Sequence, residues 1–183
     1  MRAWGVDNVP RCGGALLVSN HQSFLDPPFV GSPVQRPLYY MARRSLFDAP
    51  CRGWLLRAVG AFAVDRDGAD RQAMRTAVGL MRRGEALALF PEGTRTPDGE
   101  VKPFRPGFVL LAARAQVPIV PVAIHGAFEA WPRHRALPLP GRVHVAYGAP
   151  LAAPDGDRET WRAFAEHVRA RVVALKDELE QKQ

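Results

Sequence analysis

The sequence predicts a single α/β domain with a largely parallel central sheet flanked by helices. Three observations carry that prediction. Short apolar runs recur along the chain, stretches with helical spacing lie between them, and a length of 183 residues suits one compact unit. Strands that alternate with helices are joined by crossovers, and crossovers make parallel pairs.

Ala15-Leu16-Leu17-Val18 is entered through Arg11-Cys12-Gly13-Gly14 and left at Ser19-Asn20, the pattern of a buried strand bounded by turn residues. Similar runs at Leu38 to Met41, Ala61 to Val64, Ala86 to Phe90, Val117 to Ile124 and Val143 to Tyr147 predict further strands. Helices are predicted over Pro50 to Val59, over Gly68 to Arg83, where Ala73, Ala77, Leu80 and Met81 share a face, and over Gly107 to Ala115. Ala127 to Pro140 mixes aromatic residues, arginines and prolines without period and reads as an ordered loop; Pro150 to Asp157 is a second break. From Arg158 onward Trp161, Phe164, Val168, Val172 and Leu175 return at helical spacing. That stripe predicts a terminal amphipathic helix over residues 158–177 that packs on the body and frays from Glu178 to Gln183.

Hydrophobic residues at 47% and charged residues at 23% are ordinary globular usage, which excludes wholesale disorder and collagen-like or disulfide-scaffold classes. Lysine and arginine number 25 against 18 acidic residues, a formal net charge of +7. Such an excess attracts polyanions, anionic membrane surfaces or phosphorylated small molecules without choosing among them. Only Lys102, Lys176 and Lys182 of the basic residues are lysines, and coding bias accounts for much of the arginine excess. Cys12 and Cys51 form no C-x-x-C pair, so neither a disulfide framework nor a metal site is expected, and a reducing, cytoplasmic setting fits. No signal peptide is recognisable, and no apolar stretch approaches the ~18–20 residues needed to span a bilayer.

Two segments carry chemistry. Asn20-His21-Gln22-Ser23-Phe24-Leu25-Asp26-Pro27-Pro28 follows the first strand, where α/β sheets hold their ligands. A carboxylate on one ring nitrogen of His21 would fix the tautomer and leave the other nitrogen free to take a proton from a hydroxyl. On a regular helix a spacing of five places two side chains about 140° apart, so contact between His21 and Asp26 requires a bend, and Pro27 is expected to supply it by disfavouring helical geometry at Asp26. Leu87-Ala88-Leu89-Phe90-Pro91-Glu92-Gly93-Thr94-Arg95 is the second segment, a strand running into a loop with a carboxylate, a flexible residue, a hydroxyl and an arginine. Taken singly, His21 also fits a satisfied loop histidine, Asp26 a helix cap, and Glu92 with Arg95 a surface pair at a sheet end. Gly60-Ala61-Phe62-Ala63-Val64-Asp65-Arg66 and Lys102-Pro103-Phe104-Arg105-Pro106-Gly107 add cations at a strand end and a helix start.

In this order, with Val117-Pro118-Ile119-Val120-Pro121-Val122-Ala123-Ile124, these segments resemble the four motifs of the glycerolipid acyltransferase family, in particular its 1-acylglycerol-3-phosphate acyltransferases, across residues 8–150. The resemblance implies that family's fold, with His21 and Asp26 as the catalytic pair. It implies acceptor binding by Arg66, Glu92, Gly93, Thr94 and Arg95, a phosphate-side cluster at Lys102 and Arg105, and acyl-donor binding or a core role for the fourth motif, which its apolar run assigns mainly to the core. It implies acyl-CoA or acyl-carrier protein as donor, a lysophospholipid acceptor, an anionic membrane surface on the inner face of the cell membrane as partner, and no resident cofactor, metal or nucleic acid.

Members of that family usually begin with hydrophobic or amphipathic helices, whereas here the lead-in Val6-Asp7-Asn8-Val9-Pro10 stands close to Met1. Either the chain is shortened, or it acts on a soluble acceptor, or it attaches by another surface; for the last, membrane contact is expected from Arg36 to Phe62, where Arg36, Arg43, Arg44, Arg52 and Arg57 oppose a single acid, Asp48, beside Phe47, Trp54, Leu55, Leu56, Val59 and Phe62. The spacing of Leu55, Val59 and Phe62 also fits a core-facing stripe. Two rival functions are weaker. A hydrolase using Ser23 or a cysteine lacks G-x-S-x-G, and a basic nucleic-acid- or membrane-binding module lacks a clustered stripe, since acids interleave with the arginines.

Overall fold

In a computed structural model of the chain, strands β1 Arg2–Trp4, β2 Ala15–Ser19, β3 Leu38–Arg43, β4 Ala61–Val64, β5 Ala86–Leu89, β6 Ile119–His125 and β7 His144–Tyr147 form one sheet in the order β1-β7-β6-β2-β5-β3-β4. The structure describes residues 1–64, 71–132, 134–135 and 137–182, without the side chains of Pro50 and Arg52. β4, β3, β5, β2 and β6 are mutually parallel, while β7 runs antiparallel to β6 and carries β1 parallel to itself at the edge.

Every residue of β2 and β6 is buried, as central parallel strands covered on both faces must be. Leu16 and Val18 point into a core closed by α3 Arg71–Arg82, α4 Gly107–Ala115 and α6 Arg158–Glu180. Ala15 and Leu17 point the other way, into a core shared with Val30 of α1 Asp26–Gly31 and with Ala127 and Ala130 of α5 Ala127–Ala130. α2 Pro50–Ala58 packs beside β4 at the far edge.

The predicted strands form with ends shifted by at most two residues; β1, the segment after Gly126 and the end of the last helix differ from expectation. β1 was not anticipated; it pairs with one neighbour only and has no fully buried residue, so it lacks an apolar run. The segment read as a loop from Ala127 opens with α5, which starts after Gly126 at φ 85, where a Cβ would overlap the Arg142 carbonyl. The helix expected from Gly68 is described from Arg71 onward, its first residues lying outside the described ones. The C-terminal helix does not fray at Glu178: it runs to Glu180, with Leu179 fully buried and Lys176 bonded to Glu180 at 2.6 Å. Ala165, Val168, Val172 and Leu179 form its buried stripe, and Trp161, Phe164 and Leu175 pack half-buried alongside. Asp157 caps its start by accepting the N–H groups of Glu159 and Thr160.

Candidate active site

β2 and β5 are neighbours and parallel, so the two chemistry-bearing segments leave the sheet at the same carboxyl edge. Where the backbone departs from β2, the Asn20 side chain extends the pairing to β6: its Nδ2 donates to the Ile124 carbonyl at 2.9 Å, and the Ile124 N–H donates to its Oδ1 at 2.8 Å. Residues 20–25 then follow no regular α or β structure, and α1 begins at Asp26 itself. The bend thus lies before Asp26 and not at it. Pro27 falls in the first helical turn, where an N–H has no intrahelical partner to lose, and its preference against helix at the preceding residue is overridden.

Asp26 has no exposed surface, and its Oδ2 accepts from the His21 ring at 2.7 Å, from the Ser23 N–H at 2.8 Å and from the Gln22 N–H. This carboxylate makes Nδ1 the protonated nitrogen and leaves Nε2 with a lone pair. No described residue bonds Nε2, and the His21 side chain keeps 21% of its surface exposed. The ring stacks on Phe90, with centroids 4.3 Å apart.

The His21 backbone is clamped by the second segment. Its carbonyl accepts the Thr96 N–H at 2.8 Å, its N–H donates to Glu92 Oε1 at 3.2 Å, and the neighbouring Gln22 Nε2 donates to the Gly99 carbonyl at 3.0 Å. Glu92 is buried at 6% exposure. Burial pushes its carboxyl up to about 8, reinforced by the charge of Asp26 and opposed by the N–H groups of His21 and Lys102 and by the Lys102 charge. Near neutral pH Glu92 is therefore largely protonated, and its Oε2 has no hydrogen-bond partner among the described residues.

The remaining predicted residues are distributed as follows. Gly93, at φ 72, and Thr94 are exposed on the loop, and Arg95 is half-buried. The Arg105 guanidinium covers Gly93, its Cζ 3.2 Å from where a Cβ would stand. Lys102 Nζ turns to Asp98 at 3.2 Å; the Thr96 hydroxyl above all, then the Glu100 N–H and Lys102, hold the Asp98 carboxyl down at about 2. Arg66 lies outside the described residues. Phe90, which sets the ring plane of His21, was read only as the end of a strand. Ser23, the candidate nucleophile of the hydrolase reading, is fully buried with its Oγ accepting the Leu25 N–H, which removes it from the surface. Among the described residues no cluster of three metal-ligating side chains forms, and no helix is long and apolar enough to cross a membrane.

An α/β sheet with a histidine oriented by a buried carboxylate at its carboxyl edge, beside a loop bearing a hydroxyl and cations, has the build of a hydroxyl-activating enzyme. A family model described as Acyltransferase matches residues 2–125, more than half of the chain, and the chain belongs to that family. It is 27% identical over 186 residues to a 1-acyl-sn-glycerol-3-phosphate acyltransferase of Bacillus subtilis, covering 99% of this chain and 90% of that protein. A protein of the same description from Pseudomonas aeruginosa is 32% identical over 165 residues, covering 88% of this chain and 62% of that protein. The crystal structure of the 1-acyl-sn-glycerophosphate (LPA) acyltransferase PlsC from Thermotoga maritima superposes with a TM-score of 0.80 at 29% identity, covering 96% of this chain and 71% of that one. The fold expected from the four motifs is the observed one.

Proposed function

We propose that the protein transfers a fatty acyl group from a thioester, acyl-CoA or acyl-carrier protein, to the free hydroxyl of lysophosphatidate or a related lysophospholipid. The observation that carries this reading is the 2.7 Å contact between His21 Nδ1 and Asp26 Oδ2, with Nε2 unpartnered among the described residues. His21 Nε2 takes the hydroxyl proton as that oxygen attacks the thioester carbonyl, and Asp26 stabilises the imidazolium. Collapse of the tetrahedral intermediate breaks the C–S bond, and the departing thiolate takes the proton from the imidazolium. An ester and a free thiol leave, and His21 is neutral again. Such a base is worth about 10²–10⁴ in rate, and alignment of two bound substrates supplies more.

Arg95, Lys102 and Arg105, with Gly93 and Thr94 on the same stretch of chain, and Arg66 from the strand-end motif are the groups assigned to the acceptor phosphate. A largely protonated Glu92 places no full negative charge there. No metal, resident cofactor or nucleic acid enters this reading.

The acceptor is a lipid, and α2 offers a surface for reaching it. Trp54 is 70% exposed, Leu55 50% and Val59 37%, so Leu55 and Val59 do not form the core-facing stripe their spacing also allowed. Arg57 lies over the Phe47 ring at 5.4 Å, and Arg43 is exposed at the end of β3. Apolar side chains among arginines suit the headgroup boundary of an anionic membrane, here assigned to the inner face of the cell membrane. Arg36 leaves this set, because its guanidinium is committed to the carbonyls of Pro10, Gly13 and Gly84.

The test is incubation with lysophosphatidate and either donor, following thiol release and lipid product together. Equal amounts of thiol and phosphatidate support transfer. Thiol release without lipid product would refute it in favour of hydrolysis.

A further inference from the structure

Helix α6 lies beyond residues 2–125 of the family match, yet it grips the loop that carries Glu92. Arg169, half-buried on this helix, donates from Nε to the Lys102 carbonyl and from Nη2 to the Val101 carbonyl, both at 3.1 Å. The peptide joining Val101 to Lys102 is thereby held at its carbonyl. Its carbonyl accepts from Arg169, and its N–H, that of Lys102, faces the Glu92 carboxyl. Glu92 in turn accepts the His21 N–H at 3.2 Å. A few residues further along α6, Lys176 Nζ lies 3.8 Å from Glu100, a second tie to the same loop.

We propose that Arg169 is a positioning residue for the transfer reaction: by fixing the Val101–Lys102 peptide it sets Glu92, and through Glu92 the backbone of His21. The inference rests on the acyl transfer described above. His21 stands just past the end of β2, in a segment without regular hydrogen bonding, so its backbone depends on the groups that reach it from the side: Glu92 and Thr96. A planar guanidinium spanning two successive carbonyls fixes their separation, which a lysine ammonium cannot do. Arg169 needs no contact with either substrate; its loss acts on the placement of the base, and a misplacement of ~1 Å can cost up to ~10²-fold in rate.

The experiment compares Arg169→Met, which keeps the apolar stem, and Arg169→Lys with the wild type. Arg171→Ala, an exposed change on the same helix, is the control. Circular dichroism establishes that each variant is folded at the assay temperature. For Arg169→Met, kcat falls by roughly 10- to 100-fold while KM for donor and acceptor each stay within about twofold; Arg169→Lys is intermediate and Arg171→Ala is unchanged. Combined with Glu92→Gln, Arg169→Met costs no more than the worse single change, because the two act along one connection. A kcat within about twofold of wild type, a change confined to acceptor KM, or losses that multiply in the double variant would each overturn the proposal. If Arg169→Met does not fold, the same readings on Arg169→Lys decide. A wild type that makes no lipid product overturns the reaction itself and the positioning role with it, whereas an active wild type with an indifferent Arg169 overturns only the latter.

Discussion

Replacing Asp26 with asparagine isolates the charge at the centre of the site. Asp26 Oδ2 accepts three N–H groups, from the His21 ring at 2.7 Å, from Ser23 at 2.8 Å and from Gln22, and Asp26 has no exposed surface. Asparagine offers one oxygen. If that oxygen takes the Oδ2 position, all three N–H bonds persist, but each becomes a bond to a neutral acceptor. Bonds to charged groups contribute about 1.5–3 kcal/mol against 0.5–1.5 for neutral ones, so the imidazolium loses on the order of 1–2 kcal/mol, a factor of roughly 5–30 in rate. The new NH₂ then occupies the Oδ1 position, which is buried without a partner among the described residues, at a cost of about 1–3 kcal/mol in stability. If instead the amide turns its NH₂ toward His21, the ring is forced into the wrong tautomer and the loss approaches the ~10⁴ seen for this change in a Ser-His-Asp triad. Asp26→Asn should therefore lower kcat by at least about fivefold and lower the urea midpoint, while His21→Ala should cost about 10²–10⁴ with the fold retained. Steady-state thiol release, matched to lipid product and corrected for the folded fraction, measures both. A folded Asp26→Asn variant with more than half of the wild-type kcat would refute the role of Asp26 charge in stabilising the imidazolium.

Three further outcomes follow from the same geometry. Neutralising Lys102 or Arg105, or changing Arg95 to lysine, should raise acceptor KM more than donor KM, since a point charge does not replace a bidentate fork; equal shifts would mean that these residues shape the whole site. Burial raises the folded-state value of Glu92 from 4.5 to about 8, so across that window the unfolded chain releases a proton that the folded chain keeps, and stability falls as pH rises from 4.5 to about 8. Glu92→Gln should flatten that decline in urea titrations repeated across the window, and an unchanged difference between its ends would refute the assignment. Trp54→Ser with Leu55→Ser should weaken co-sedimentation with anionic vesicles, and added salt should weaken it further through the arginines; binding indifferent to both would place the membrane contact elsewhere.

The fold was legible where burial is symmetric. Ala15 to Ser19 and Ile119 to His125 are covered on both faces, and two-sided burial writes itself into sequence as an uninterrupted apolar run. β1 left no such trace: Arg2 is exposed and Ala3 and Trp4 are half-buried, because the strand borrows its hydrogen bonds from β7 alone. The end of α6 was misread for a related reason. A count of apolar residues stops at Leu175, but the face continues through Lys176, whose stem is buried while its ammonium meets Glu180 and Glu100, and closes on Leu179.

The site was legible in composition and not in direction. His21 and Asp26 could be paired from their place in the ordered motifs, since the spacing alone equally fits a loop histidine and a cap; the bend that joins them lies before Asp26, where no proline marks it. Glu92 and Arg95 stand in one loop and read as equivalent ligand groups, yet Glu92 turns inward to the His21 N–H and is buried, while Arg95 is half-buried. The difference is made by partners that carry no residue identity. The N–H groups of His21 and Lys102 facing the carboxyl belong to the backbone and exist at any position except proline. The same holds for Arg169, which lies 67 residues from Lys102 and meets the loop through main-chain carbonyls, its one side-chain partner among the described residues being Glu166 on its own helix. A side chain that recognises backbone leaves no paired residue to find, so its role emerges only when the chain has folded and the peptide between Val101 and Lys102 is seen to lie between Arg169 and Glu92.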